Sequence, residues 1–588
     1  MVRPEPGAFG FFQSPLAWGV LFGLAPLAAF PPLEWHWTAW VAFTPLLLAL
    51  DSPRGTLKEW FFAGWAMGAV FFLGHFFWLH RALVELSGMA LVPFVVFLSL
   101  PVAGLGLSFG AGCLLVRWCR RCMGWHPFWT FPAWLAVQDW MLSEFPFGGI
   151  AWGSLAATQP HTLAARLAVP IIGAPGLVLL MGAVNACWAW GIQAALPAGA
   201  GGGKGAPRRP AFWRPGLAPL VTAPWVRAPW VRAPLTMCVL AVCVLTIATV
   251  TLAWPLAAGV PRGARRMTAL LVPGGLSIAQ LDANADDNTG GSNANVGNNT
   301  VGNNTAGDTT VGNKTVRYYL ARTLAGLDRG GVSASGGRNV PGAKPGAGHA
   351  LVIWPESSAR GHIEKGKTLA ELSQLGGLLQ ADFLLGSSAR VGGRDFISLY
   401  LVGGGVSGFQ RYDKRRLVPF GEFVPPGFRW MFRKKVTAGE KDYAAGTLPP
   451  VLPWRGVRLG LAICFESVLP GHFRAAVLEG AEIVIAAAND AWLTQGAALH
   501  HLRLTALRGL EAGRDIVFVS NGGWNALLRD GRVVSGGAGR QQAFWVHPAL
   551  RNGHTPWILW GNWLLAALLA VWIGGGAFFS FRNGFGPR

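Results

Sequence analysis

Charge is what this sequence has least of. Only 13% of its 588 residues are Asp, Glu, Lys or Arg, against about 25% in ordinary soluble domains. Acidic side chains are the scarcer sign, 28 against 49 Lys and Arg, for a formal charge of +21. With 52% hydrophobic residues and a mean hydropathy of +0.37, a wholly soluble globular protein and a mainly disordered chain are both excluded. The composition is that of a chain solvated in part by lipid. Cysteine is sparse as well: there are seven, and Cys113, Cys119, Cys122, Cys187, Cys238 and Cys243 fall in or beside apolar runs. That pattern excludes a disulfide scaffold and leaves Cys464 as the one cysteine in a different setting.

Long apolar runs are abundant. Crossing roughly 30 Å of hydrocarbon takes about 20 helical residues, and candidate spans are read at 14–31, 36–50, 60–80, 89–116, 127–143, 167–196, 235–258 and 557–580. Orientation follows from Lys and Arg in alternate connections, because positive residues are held on the cytoplasmic side. One set carries Arg3, Arg54, Lys58, Arg117, Arg120, Arg121, Lys204, Arg208, Arg209, Arg214, Arg227, Arg232, Arg582 and Arg588; the other carries Arg81 and Arg166. Fourteen against two places both ends of the chain inside and the segment between the seventh and eighth spans outside. The first span is read as uncleaved, since its run ends in bulky Phe30-Pro31-Pro32 and its removal would invert the parity of every later loop. The expected division is a membrane domain at 1–258, an extracytoplasmic domain at 259–556, and a last span with a cytoplasmic tail at 557–588. Much of the positive charge is then topology, which removes the motive for a nucleic-acid partner.

Two stretches read as linker. Residues 197–234 are rich in Gly, Pro and Arg and repeat APWVR at 223–227 and 228–232. Residues 282–316 carry a five-residue repeat, VGNNT, VGNNT, AGDTT, VGNKT, at 296–315. Such a polar, Gly-laden segment buries too little apolar surface to offset its ordering entropy, so a disordered insertion is expected there.

Beyond the insertion the pattern changes. Short, nearly continuous apolar runs appear at 269–274, 350–356, 382–388, 397–404, 458–466, 481–490 and 515–523, alternating with helical spacing at 317–328, 365–379, 468–479 and 498–513. Runs apolar on both faces belong to sheets covered on both sides, which predicts a layered α/β domain.

Reactive groups sit at the ends of those runs: Glu356 closes ALVIWPE, Cys464 follows RLGLAI, and Lys414 lies in RYDKRRLVPFGEFVP. Side chains at the carboxyl ends of such strands converge on one edge. Each residue alone has an ordinary reading, a buried thiol, a turn carboxylate or a solvated charge run, but together they suffice for acyl transfer: a thiol nucleophile, a carboxylate base and an ammonium for the oxyanion. No metal is expected, because adjacent His500 and His501 point to different helix faces. No cofactor is expected either, since no Gly-rich segment has the order of a phosphate loop. Asn489 and Asp490 are read as strand-end hydrogen bonders.

WPES at 354–357, K-x-x-L-V-P-F-G-E from Lys414 to Glu422 and ICFE at 463–466, spaced by 58 and 50 residues, resemble the Glu-Lys-Cys triad of the nitrilase superfamily. The K-x-x-L-V-P-F-G-E form and the flanking spans are similar to the apolipoprotein N-acyltransferases, as is the loop FPFGGIAWGSLAATQ at 145–159. NDAW at 489–492 and R-x-x-E-x-x-R from Arg508 through Glu511 to Arg514 also fit the nitrilase pattern, the latter as a helix whose charges pair internally. The family's Gln-Gly-Asn near the first strand is absent, VPGG standing at 272–275, and Phe465 replaces a common Tyr.

The resemblance implies a nitrilase-like α-β-β-α domain inserted before the last helix of an eight-span bundle in a bacterial cytoplasmic membrane. It implies Glu356 as general base, Lys414 as oxyanion stabiliser and Cys464 as nucleophile, with Glu422, turned toward Lys414, and Glu466 in support. The implied reaction moves a fatty acyl chain from a phospholipid donor to the N-terminal amine of a diacylated apolipoprotein. The alternative is a membrane-tethered amidase using the same triad with water. A transporter would bury ionisable groups in several spans, whereas few are present: His75 at the middle of the third, and Asp139 and Glu144 at or near the outer end of the fifth.

Overall fold

The computed structural model describes residues 15–51, 55–86, 88–145, 149–195, 265–274, 314–328, 349–359, 361–429, 441–539 and 542–582. The expected seventh span, the loop at 197–234 and the repeat as far as Asn313 lie outside those residues. The chain divides into two compact units: Met1–His80, Met89–Gly259 and Thr555–Arg588 form one, Arg81–Gly88 and Val260–His554 the other.

The first unit is helical. It contains α1 (Pro15–Leu24), α2 (Thr44–Asp51), α3 (Leu57–Phe76), α4 (Leu91–Cys122), α5 (Pro127–Glu144) and α6 (Leu163–Ala195), with Pro556–Trp560 and Asn562–Arg582 from the end of the chain. Helices therefore occupy each apolar run that falls on described residues. The first run continues from α1 into a 3-10 turn, Ala25–Ala29, and the second opens with another, His36–Trp40. Among the described residues two helices, Leu91–Cys122 and Leu163–Gln193, are by themselves long and apolar enough to cross a membrane.

A capping box starts α3: Thr56 accepts from the Glu59 amide while Glu59 accepts from the Thr56 amide at 2.6 Å. Close approach of α3 and α4 rests on small residues, since a Cβ added to Gly68 would lie 2.8 Å from Gly106 Cα. This is how helices pack where no hydrophobic force drives them together. Val92, Trp563, Val571 and Phe578 are exposed, an apolar exterior that water penalises and lipid does not. His75 is buried, its Nδ1 3.0 Å from the Phe71 carbonyl and its ring 4.2 Å from that of Phe30. It is a packed core residue.

The second unit holds two six-stranded sheets. The first has the order β12-β1-β2-β3-β4-β5, built from Phe544–Val546, Ala269–Leu271, Ala350–Ile353, Ala381–Val391, Arg394–Gly403 and Phe409–Asp413. The second has the order β11-β10-β9-β8-β7-β6, from Arg532–Ala538, Trp524–Arg529, Ile516–Asn521, Ile483–Asn489, Val457–Ile463 and Val451–Trp454. β1, β2 and β3 run parallel, as do β7, β8 and β9.

Successive strand residues face opposite ways. Leu271, Leu351, Ile353 and Leu384 meet Leu459, Leu461, Ile485 and Val519 of the other sheet in one core. Their neighbours Leu270, Val352 and Phe383 turn to the opposite face and pack with Val316 and Tyr319 of α7 (Lys314–Asp328) and Leu369 and Leu372 of α8 (Thr368–Leu379). On the second sheet α9 (Pro470–Leu478) packs on β7 and α10 (Gln495–Ala512) on β9 and β10. The layering is α-β-β-α, as expected of a nitrilase-like domain. The disordered insertion expected at 282–316 gives up its last residues to α7, which begins at Lys314 because Val316 is fully buried against the sheet. The unit also takes in Arg81–Gly88, which the linear division leaves with the membrane domain.

Candidate active site

Glu356 leaves β2 through Trp354, whose buried ring stacks on Tyr319 at 5.3 Å and whose Nε1 donates to Thr323 Oγ1 at 3.1 Å. The chain then passes so close to β3 that a Cβ on Gly386 would lie 2.7 Å from Glu356 Cα. Only glycine fits that place. Asn521, at the end of β9, donates to the Glu356 carbonyl at 3.0 Å and accepts from the Tyr319 hydroxyl at 2.5 Å. The backbone that bears the carboxylate is thereby held from both sheets.

Lys414 follows β5 directly, its amide donating to the Ile397 carbonyl at 2.8 Å. The side chain is fully buried, with Nζ 2.6 Å from Glu422 Oε1 and 3.6 Å from Glu356 Oε1. The other Glu422 oxygen accepts from the Val418 amide at 2.8 Å, so the tight turn of the LVPFGE stretch, with Phe420 at φ +63°, aims this carboxylate at the ammonium.

Cys464 directly follows β7 in the left-handed region, φ +49°, where a side-chain-bearing residue costs roughly 1–2 kcal/mol. The charges of Glu356, Lys414, Asp490 and Glu422 all act on its thiol. Two residues on, Glu466 is fully buried and accepts from the Tyr412 hydroxyl at 2.9 Å and from the amides of Arg415, Arg416 and Ile463 at 2.7, 3.1 and 2.9 Å. Neutral donors pin it, and through the Arg415 and Arg416 amides it ties the Lys414 loop to the cysteine turn.

Burial dominates the electrostatics. It pushes the Glu356 carboxyl up to about 7, against the pull of Lys414. Burial and then the Glu356 charge push the Cys464 thiol well above its ordinary value, while Lys414 opposes them. For Lys414 burial acts the other way, but Glu422 and Glu356 outweigh it and hold the ammonium above its usual range. The resting arrangement is a protonated thiol near a carboxyl that changes its charge around neutral pH, with a permanent cation beside that carboxyl.

All five sequence-predicted residues thus come together. The charges of Arg508, Glu511 and Arg514 do not all pair within one helix. Arg508 meets Glu511 at 3.2 Å, but α10 ends at Ala512, and Arg514 beyond it donates to the carbonyls of Ala481 and Gly553, each at 2.7 Å. Asp490 is a hydrogen bonder at the end of β8, as expected, accepting from His501 Nδ1 at 2.8 Å. Among the described residues no three His, Cys, Asp or Glu side chains form a metal-holding group. Sequence reasoning missed Tyr412, Asn521, Tyr319 and Gly386. NGG at 521–523, closing the run at 515–523, is a visible turn signal for Asn521; the others carry no local mark.

Residues 22–187 match the family model of the apolipoprotein N-acyltransferase N-terminal domain, and residues 334–553 that of carbon-nitrogen hydrolases. An apolipoprotein N-acyltransferase of Gloeobacter violaceus is 33% identical over 187 residues, 31% of this chain and 36% of its own length. One of Azotobacter vinelandii is 31% identical over 236 residues, 38% of this chain and 45% of its own. The matched part therefore spans less than half of these relatives' length. Among solved structures, a carbon-nitrogen hydrolase superfamily protein from Xanthomonas campestris aligns over 54% of this chain and 97% of its own, at 16% identity and a TM-score of 0.31. The chain therefore carries, in a single sequence, a region matching the N-terminal domain of the apolipoprotein N-acyltransferases and a region matching the carbon-nitrogen hydrolases.

Proposed function

We propose that this protein transfers a fatty acyl chain from a phospholipid to the N-terminal amine of diacylglyceryl-cysteine in apolipoproteins, through a thioester on Cys464. The observation that carries the reading is the buried contact of Lys414 with both Glu356 and Glu422, in a site where the Glu356 and Lys414 charges both act on the Cys464 thiol. Glu356 takes the thiol proton as sulfur attacks the ester carbonyl, and the Lys414 ammonium with a backbone N–H stabilises the oxyanion. Collapse of that intermediate breaks the ester C–O bond, and the lysophospholipid leaves with the proton from Glu356. The incoming amine then attacks the thioester, loses a proton to Glu356, and Cys464 leaves as a thiolate that is reprotonated.

Glu422 keeps Lys414 in place and Glu466 keeps the two loops in register. The helical unit belongs, in this reading, to an eight-span bundle in a bacterial cytoplasmic membrane, with both termini inside and residues 259–556 outside. What supports it is the family match at 22–187, the two long apolar helices and the asymmetry of Lys and Arg. A catalytic domain tethered at both ends near lipid-anchored substrates gains effective concentration and orientation.

The test is mass spectrometry of protein isolated from membranes, which should find a fatty acyl thioester on the Cys464 peptide, joined to an assay of transfer from labelled phospholipid to a diacylated lipopeptide. A thioester that water discharges as readily as the lipopeptide does would favour the amidase instead.

A further inference from the structure

The left-handed turn at Cys464 needs something to hold it, and Glu466 grips it from the side of the Ile463 amide, Tyr412 and the Lys414 loop. On the other side the Cys464 carbonyl lies 3.3 Å from His501 Nε2. The same nitrogen is 2.8 Å from Ser467 Oγ, Ser467 Oγ is 3.0 Å from Thr505 Oγ1, and the Thr505 hydroxyl donates to the His501 carbonyl at 3.0 Å. Across the ring His501 Nδ1 meets Asp490 Oδ1 at 2.8 Å, and Asp490 itself leads out of β8 with its amide on Ser520 Oγ at 3.1 Å. All of these side chains are buried.

The directions of these bonds are constrained. Thr505 donates to the His501 carbonyl, while the Ser467 hydroxyl lies within hydrogen-bond distance of both Thr505 Oγ1 and His501 Nε2. The Cys464 carbonyl can only accept, and so can the Asp490 carboxylate. Both ring nitrogens therefore face acceptors. A chain so arranged runs without a break from the end of β8, through the imidazole, to the backbone of the residue that bears the thiol.

We propose that His501, oriented by Asp490, is a positioning residue for the nucleophile: it holds the Cys464 carbonyl inward so that the strained turn keeps the thiol near Glu356. The proposal rests on Cys464 being the nucleophile. Neither His501 nor Asp490 is hydrogen-bonded to the thiol, the ammonium or the general base through any bond described above. The Asp490 charge does act on Glu356 and Cys464, raising both, so it is the His501 variants, which keep that charge, that isolate the route through the backbone of the turn.

The experiment uses the full-length protein in detergent or vesicles, with His501→Phe, which keeps ring volume but no donor, His501→Gln, which keeps one donor, and Asp490→Asn. Two rates are read: alkylation of Cys464 by iodoacetamide, which needs no lipid substrate, and thioester formation from a labelled phospholipid. A misplaced nucleophile costs on the order of 10²-fold in rate. The expected result is a loss of that order in thioester formation for His501→Phe with KM for the phospholipid unchanged, a parallel fall in alkylation, and partial rescue in His501→Gln. Asp490→Asn should fall between them. Wild-type rates in folded His501→Phe would overturn the proposal. So would a loss in all three variants that tracks thermal stability alone and shows no rescue by Gln. If the wild-type protein forms no thioester at all, the acyltransferase reading fails while the alkylation rates still decide the role of His501.

Discussion

The two sheets of the second unit bring different things to the shared edge. The first supplies charge: Glu356 after β2 and Lys414 after β5, both buried and 3.6 Å apart, with Glu422 completing the cluster. The second supplies the thiol on a strained turn. Two residues on, Glu466 takes the Ile463 amide of its own sheet and the Tyr412 hydroxyl and Arg415 and Arg416 amides of the first, and so holds the turn by neutral donors from both. The two supporting carboxylates show the contrast most clearly. Glu422 binds an ammonium and one amide, whereas Glu466 accepts from a tyrosine hydroxyl and three amides. One side of the site tunes protonation; the other fixes geometry.

The largest effect should come from the second sheet. Cys464→Ala is expected to abolish both the thioester and transfer, since no other nucleophile in the cluster replaces sulfur. Transfer at a wild-type rate by the folded variant, followed with labelled phospholipid, would remove the nucleophile and with it the division between the sheets. On the first sheet Lys414→Ala should leave a reactive thiol but slow thioester formation by about 10²–10³. Single-turnover kinetics should show the loss in the acylation step. Glu356→Gln should block proton removal at unchanged shape and give a comparable loss.

A sharper comparison pairs Glu466→Gln with Glu422→Gln. In the first, an amide NH₂ must face a ring of donors, leaving at least one buried donor unmet at about 1–3 kcal/mol. In the second, the Val418 bond survives and the loss falls on the countercharge of Lys414. Thermal unfolding should therefore drop more for Glu466→Gln and the acylation rate more for Glu422→Gln. The reverse pattern would break the assignment of geometry to one sheet and charge to the other.

The same contrast explains what the sequence could reveal. Interior strands announce themselves as apolar runs because both faces are covered, and all seven predicted runs are strands that lie inside the sheets. The missed strands include all four edges, where one flank lacks a neighbour and the pattern dilutes: Phe409–Asp413 reads FQRYD, Val451–Trp454 contains Pro453, which belongs at an edge, and Arg532–Ala538 carries two glycines. The charged half of the site is legible because Glu356, Lys414 and Glu422 stand in motifs at strand ends. Its neutral half is not, because Tyr412 reaches Glu466 across 54 residues and Asn521 reaches Glu356 across 165, contacts that exist only once the two sheets have met. In the helical unit hydropathy marks the helices, yet gives no warning that Gly68 and Gly106 would be brought face to face.

The smallest effect is one of pH, and it isolates the first sheet's contribution. With the Glu356 carboxyl raised from 4.5 to about 7 by burial, the base is protonated and idle below that point. Acylation should fall about tenfold for each pH unit below 7 and level off above it, where the thiol, pushed well above its ordinary value, still carries its proton. Stability runs the opposite way. A group whose folded value is raised contributes most below its unfolded value of 4.5 and loses that contribution as pH climbs through about 7. The difference in unfolding free energy between wild type and Glu356→Gln should therefore shift against the wild type across the same window in which its acylation rate rises. Measured side by side, a rate that climbs and a relative stability that declines over one pH interval point to a single buried carboxyl. A rate profile that stays flat from pH 5 to pH 8 would show that Glu356 is not the proton acceptor, whatever its distance from Lys414.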